Sequence, residues 1–497
     1  MDVRTTTGIV RGYQRNNMMC FLGIPYAEAP LGELRFKRAV PKKPWDGVYE
    51  ANRIVNRSLQ VFMGQVMGSE DCLYMNIKCP LSVEADGTDR KLPVLFWIHG
   101  GGYNTGGMED ETTNGACFVR DGIVFVEIQY RLNLAGFFDF GVLPGCEFVE
   151  SNRGLSDMIT AIQWMHENIA AFGGDPDRVT IMGESAGGAA VTTLMAVPSV
   201  KGMFSQVIAE SSLPNCVQSH EVAKTLLYAW MKENNWKEAD MPDLIQGDLV
   251  PLVLSAEYIQ HQSQDIDPGT LLPCPCIDDL LPEYPIDAIA NGCARDVRLI
   301  LGTNLHEGTM FVNPFMHVFP NSWEMIQEMF QKAGYEERFE GVKAYYDRPD
   351  VRYPEEISPF VNFATDYAFK VPGTELANAQ SKYGDTWLFH YEFVAEGALR
   401  QHMLASHAFE LAFVYETYDA SMPWGSLYDT PVEIKENLAD AMHGSWVNFI
   451  KSGAPSDNWP KMTGYNTPIR IFDKDTTTRQ EDRSELMKLW EGMRFFR

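Results

Sequence analysis

Thr180-Ile181-Met182-Gly183-Glu184-Ser185-Ala186-Gly187-Gly188 joins three signals in one short span. An apolar strand from Arg178 to Met182 runs into Gly183, and a small-residue helix from Ala186 to Met195 runs out of the span. Between them, Gly-x-Ser-x-Gly sets Ser185 on a sharp turn. The glycines let the backbone bend and keep side chains away from the hydroxyl. The first turn of the helix points free N–H groups and a positive dipole end at the same place. Gly-x-Ser-x-Gly alone is common by chance, so the strand before it and the helix after it carry the weight.

Working outward, Leu92 to Ile98 is a second strand, apolar throughout, ending in His99-Gly100-Gly101-Gly102. Successive glycines can turn backbone N–H groups toward one point and hold an oxyanion, provided they lie beside the serine. A third strand spans Gly122 to Tyr130. Leu155, Met158, Ile159, Ile162, Met165 and Ile169 then recur at helical spacing, and Gly173-Gly174-Asp175-Pro176 stops that helix. Strands follow at Phe204–Ala209, Val297–Gly302 and Thr386–Phe393, and a helix over Ala439–Ile450 with Trp446 closes the core. Uniformly apolar strands alternating with helices imply a parallel sheet covered on both faces. With a serine on a strand–turn–helix, the expectation is the α/β-hydrolase fold. The first 50 residues carry Pro and Gly at intervals that suit short antiparallel strands. No repeat or linker interrupts the chain, so residues 1–497 read as one catalytic domain with helical insertions at about 220–270 and 310–380.

Composition limits the partners. With 67 acidic against 41 basic residues the formal charge is −26, which repels phosphate backbones and argues against nucleic acid. The same acidity serves solubility before it serves any cationic substrate. No run approaches the roughly 18 apolar residues a membrane span needs. Met1–Thr7 is polar without a charged-then-apolar leader pattern, and Asn56-Arg57-Ser58 is the only glycosylation sequon, so a cytoplasmic location is expected. The 9 cysteines are odd in number, and Cys274-Pro275-Cys276 has no matching ligand pair elsewhere. Reduced, mostly buried thiols are therefore expected, with no metal site.

A serine hydroxyl needs a base, and the base needs an acid to orient it, in the chain order Ser, Asp or Glu, His. Glu307 follows a buried strand, where open α/β sheets place functional loops. After it come His317, His390, His402, His407 and His443, and spacing does not choose among them.

A resemblance does. Phe21-Leu22-Gly23-Ile24-Pro25-Tyr26-Ala27, Ser69-Glu70-Asp71-Cys72-Leu73-Tyr74-Met75-Asn76, His99-Gly100-Gly101-Gly102, Phe172-Gly173-Gly174-Asp175-Pro176, Gly183-Glu184-Ser185-Ala186-Gly187-Gly188, Glu307-Gly308 and His407-Ala408-Phe409-Glu410-Leu411 occur in that order. Together they resemble the type B carboxylesterases, the group of cholinesterases and bacterial para-nitrobenzyl esterases. The resemblance implies Ser185 as nucleophile, His407 as base and acid, and Glu307 as the orienting carboxylate. It implies Gly101, Gly102 and Ala186 as oxyanion donors, with Glu184, Ser211 and Glu410 supporting them. The implied reaction is hydrolysis of small carboxylic esters through an acyl-enzyme, with no cofactor. The base must be neutral, so activity is expected to fall as pH drops through about 6.5, the reference value for histidine. A thioesterase, amidase or carbamate hydrolase would share this machinery. A catalytically dead binding module on the same fold would lack part of it, and this chain keeps all of it.

Departures from the family pattern also matter. Secreted members pair the cysteine at the Cys72 position with one shortly upstream, where this chain has Ser58, so an intracellular bacterial-type member is implied. Ser212 and Asp279 stand where the family usually has glycine. Cholinesterases stack their cation on a tryptophan shortly before the second motif. Here Leu59–Gly68 holds Phe62 as its one aromatic, so neutral esters are expected over choline esters. The pocket is expected to come largely from 220–270 and 310–405, and a monomer is favoured.

Overall fold

The computed structural model describes residues 1–497 except 63, 82–90, 109, 262–263, 265–267, 270, 272, 314–315, 351, 354, 420–426 and 496–497. An 11-stranded sheet runs through it. In chain order its strands are β1 (Tyr13–Arg15), β2 (Met18–Pro25), β3 (Tyr74–Pro80), β4 (Leu92–Ile98), β5 (Val124–Ile128) and β6 (Gly174–Glu184). Then come β7 (Gln206–Glu210), β8 (Arg298–Asn304), β9 (Thr386–Tyr391), β10 (Asn466–Phe472) and β11 (Thr477–Asp482). Across the sheet the order is β11-β10-β9-β8-β7-β6-β4-β5-β3-β2-β1. The strands from β10 across to β5 are parallel, and antiparallel pairs finish both edges.

The apolar strands are buried from both sides because successive side chains point to opposite faces. Val94, Phe96 and Ile98 of β4 join one core, with Leu155, Met158 and Ile162 of helix α1 (Arg153–Asn168) and Ala189 and Val191 of helix α2 (Ala186–Leu194). Leu95 and Trp97, the residues between, join a second core, with Met182, Ile208, Ile300 and Trp446. A third, smaller core lies apart from the sheet. It gathers Phe140, Leu143, Leu227, Trp230, Met231, Met241 and Leu252 around helix α3 (His220–Glu233), whose start is capped by Ser219. Helix α4 (Val432–Ser452) carries Trp446 and ends at Gly453, left-handed at φ 83°.

Three strands, β3, β10 and β11, have no counterpart in the sequence reading. β10 and β11 form an edge hairpin in which β11, Thr-Thr-Arg-Gln-Glu-Asp, is almost wholly solvent-facing. An edge strand need not be apolar, so it carries no hydrophobic run to detect. β6 begins earlier than read: Gly174 already pairs with Leu92, and a register shift before Val179 absorbs Asp175-Pro176. No disulfide joins any of the nine cysteines. Ser58 stands within hydrogen-bonding reach of the Cys72 thiol. Among the described residues, no helix is long and apolar enough to cross a membrane.

Candidate active site

The register brings the carboxyl ends of four neighbouring strands level. Gly183 of β6 faces Ile98 of β4, Glu184 faces Glu210 of β7, and Glu210 faces Gly302 of β8. The glycine run, Ser185, Ser211 and Glu307 come just after those ends.

After β6 comes Ser185, at φ 60° and ψ −123°, a conformation an L-residue adopts only under strain. The surrounding glycines make it affordable. A Cβ on Gly183 would lie 2.3 Å from the Gly187 carbonyl, and one on Gly187 would lie 2.1 Å from that of Ile98. Ser185 N–H donates to the Glu210 carbonyl at 3.0 Å, which ties the turn to β7. Ala186 is the first residue of α2, where a helix supplies no partner for N–H.

After β4 comes the glycine run. Gly100 passes so close to the turn that a Cβ would meet the Glu184 carbonyl at 2.8 Å. Gly101 and Gly102 have φ of +100° and +61°, and a Cβ on Gly101 would strike the Thr105 carbonyl at 2.3 Å. The loop is fixed further along. Gly106 N–H donates to Gln60 Oε1 at 3.0 Å, Gln60 Nε2 donates back to the Gly106 carbonyl at 2.9 Å, and the Tyr130 hydroxyl donates to the His99 carbonyl at 2.9 Å.

After β8 comes Glu307, fully buried. Its Oε1 accepts from Asn304 N–H and the Ser211 hydroxyl, both at 2.6 Å, while its Oε2 takes His407 Nδ1–H at 2.6 Å. Ser211, just past β7, is itself left-handed at φ 46°. The neighbouring Ser212 hydroxyl shares a hydrogen bond with Thr192 at 3.0 Å, so the group that replaces glycine there is satisfied. Asp279 pairs with Arg38 at 2.6 Å.

The His407 ring lies against Phe311 and Phe369, with centroids 4.8 and 5.1 Å away. On its far side Nε2 lies 3.0 Å from Glu184 Oε1, but neither atom makes an aligned hydrogen bond, and both residues face the cavity. Burial pulls the imidazole toward neutrality. Glu184 and Glu307 outweigh it and carry His407 up to about 9, above the value near 6.5 expected from sequence. Burial raises Glu184 to about 7 against the pull of His407, and raises Glu410 to about 8 with Glu184 and Glu307 adding to it. Glu410 is held by Asn304 Nδ2, and buried Glu210 by Trp446 Nε1 at 3.1 Å. Three glutamates, Glu184, Glu307 and Glu410, thus act on one imidazole, and a buried cluster of that kind marks a functional centre.

These pieces meet at one cavity of about 480 Å³. Gly101, Gly102, Glu184, Ser185, Ala186 and His407 line its reactive end, and Leu213, Met310, Phe311, Phe319 and Phe369 line its apolar wall. Glu307, Ser211 and Glu410 sit behind that wall. The other histidines lie elsewhere: His402 is exposed, His390 is bound to Arg483, and His443 is bound to Asp121, while the side chain of His317 lies outside the described residues. The expected contribution of 220–270 is corrected. Among the described residues none from that segment lines the cavity, because its apolar side chains are spent on the third core; Val61, Phe62, Leu213, Cys216, Leu271 and Pro273 take the place. Sequence reading missed Asn304, Phe311 and Phe369. Asn304, three residues before Glu307 at the end of β8, offered a usable signal; the two phenylalanines offered none.

A serine on a helix N-terminus, an imidazole held by a carboxylate and a glycine loop beside both can support acyl transfer. Comparison with known proteins agrees. The model of the carboxylesterase family matches residues 1–490. The para-nitrobenzyl esterase of Bacillus subtilis (strain 168) is 30% identical, covering 97% of each chain. An acetylcholinesterase of Leptinotarsa decemlineata is 34% identical over 95% of this chain and 82% of its own. A solved PNB esterase superposes with a TM-score of 0.83 at 29% identity, covering 98% of this chain and 99% of its own. With the sheet, the elbow and a family match over nearly its whole length, the chain belongs to the carboxylesterase family of α/β-hydrolases.

Proposed function

We propose that the chain hydrolyses neutral carboxylic esters of small molecules, with Ser185 as nucleophile, His407 as general base and acid, and Glu307 as the carboxylate that orients the ring. The observation that carries this is the 2.6 Å contact of His407 Nδ1 with Glu307, which leaves Nε2 facing the cavity that Ser185 also lines. Ser185 Oγ attacks the ester carbonyl as Nε2 takes its proton. The N–H groups of Gly101, Gly102 and Ala186 receive the oxyanion. His407 returns the proton to the leaving alcohol, and water repeats the cycle on the acyl-enzyme. Glu184 must give up Nε2 for this transfer.

The preference for neutral esters rests on the walls. Phe62 is half exposed at the cavity, and among the described residues no tryptophan lines it and Glu184 is the one carboxylate that does. Phenylalanine offers a cation less than indole does. The test is a panel of para-nitrophenyl butyrate, an aryl thioester, an aryl amide and acetylthiocholine, run on wild type and Ser185→Ala. The para-nitrophenyl ester should give the highest kcat/KM, and the variant should lose both turnover and labelling by a fluorophosphonate. Full turnover in the variant would overturn the mechanism, and a choline ester turned over equally well would overturn the preference.

A further inference from the structure

Cys276 belongs to the Cys-Pro-Cys pair for which the sequence offered no ligand partners. The fold supplies them from distant segments. Asp139 follows the short helix Asn133–Phe137, and His220 opens α3. The carboxylate of Asp139, the imidazole of His220 and the thiol of Cys276 each place one ligand atom within 4.8 Å of the other two. The geometry points to a site for a single borderline divalent cation such as zinc, held by Asp139, His220 and Cys276 with water as the fourth ligand.

Three features make this a built site. The backbone of Cys276 is clamped from both sides: Asn152 Nδ2 donates to its carbonyl at 2.6 Å, and its N–H donates to Asn152 Oδ1 at 2.9 Å. A β-bridge sets Cys276 beside Gln218, two residues before His220. Asp139 and Cys276 are buried, while the His220 side chain is 50% exposed, so the cluster has two fixed inner ligands and a wet outer face through which an ion can enter. Thiolate, imidazole and carboxylate are a donor set that zinc accepts in tetrahedral geometry with an open position.

The charges balance. His220 Nδ1 lies 2.6 Å from Asp139 Oδ2, a contact that a cation would replace by taking both atoms as ligands. The Cys276 thiol releases its proton to solvent as the metal–sulfur bond forms, and a dication with one thiolate and one carboxylate is neutral. The nearby Arg153 guanidinium is occupied by the carbonyls of Ala135, Leu134, Phe138 and Glu150, and Asp278 and Arg38 lie further along the same surface. Such an ion would tie the third core to the body of the molecule.

The test is titration of the intact, chelator-treated protein with Co(II), reading the thiolate-to-cobalt charge-transfer absorption, alongside Zn(II) competition against a chromophoric chelator. Wild type should bind one equivalent with the charge-transfer band. Cys276→Ser should lose the band. His220→Gln, at a half-exposed position that tolerates replacement, should bind more than roughly tenfold more weakly, since even an outer partner of a metal ligand costs that much. Cys274→Ser should behave as wild type. Ester turnover stays near wild type in His220→Gln, because the cluster is no part of the catalytic cavity. Binding of no cation by wild type, or a band that survives in Cys276→Ser, would overturn the proposal.

Discussion

The carboxyl edge of the sheet around Ser185 and the helical segment opening at His220 are both buried, but different forces hold them. At the sheet edge the contacts are polar and single. Glu307 is fixed by three hydrogen bonds of 2.6 Å, Ser185 and Ser211 sit in left-handed backbone, and glycines occupy points where a methyl would collide with a carbonyl. In the segment the contacts are apolar and many. Trp230 stacks edge-on against Trp236 at 4.9 Å and against Phe138 at 5.5 Å, with Leu227 and Met231 in the same core. Activity at the first region depends on the position of individual atoms. Stability at the second depends on volume filled. A substitution in one should therefore damage what a substitution in the other spares.

The sharpest break comes at the orienting carboxylate. Glu307→Gln keeps shape and removes charge, so kcat should fall by about 10⁴, as when the acid of a serine triad becomes an amide. The far-ultraviolet circular dichroism should stay native. A loss below tenfold would mean that Glu307 does not orient the base. In the other region, Trp230→Ala should destabilise the protein by about 3–5 kcal/mol, the usual cost of deleting a buried indole. Denaturant unfolding measures that cost, and kcat of the folded protein should hold. A collapse of kcat without loss of stability would reverse the contrast.

A finer test uses pH. Glu184 and Glu307 favour the charged imidazole, so the acid limb of kcat/KM should lie above the reference histidine value of about 6.5. Glu184→Gln removes one of those charges, lowers the pKa of His407 and moves the limb to lower pH by roughly one unit or more. A pH–rate profile that does not move would show that Glu184 leaves the base untouched. The smallest effect is an expected null. A phosphine reductant should leave the melting temperature unchanged, because Cys72 faces Ser58 rather than a second thiol. A drop in melting temperature would reveal a disulfide.

The legible parts of the sequence were those whose physics is local. A strand buried on both faces must be apolar throughout, so β4, β6 and β8 announced themselves. A strained turn needs glycines at fixed offsets, so Ser185 and the Gly100–Gly102 run did the same. The proposed base was not local. His407 stands in a loop, and its choice over four other histidines came from resemblance; its ring becomes special only where Glu307, Glu184, Phe311 and Phe369 converge on it. β11 stayed hidden because an edge strand has no burial pattern, and the pocket walls were misplaced because apolar residues of 220–270 look alike whether they face a cavity or one another.

The hydrogen bond between Glu307 and His407 spans 100 positions of chain. On a ribosome adding roughly 5–20 residues per second, that distance alone takes about 5–20 s to make. The elbow, the glycine loop and β7 are all synthesised before it. α4 and the hairpin of β10 and β11, which brace β9, come after it. A nascent chain therefore displays a shaped but unarmed serine through much of its synthesis. A product truncated before His407 would lack the base proposed for ester hydrolysis, however well its first half had folded.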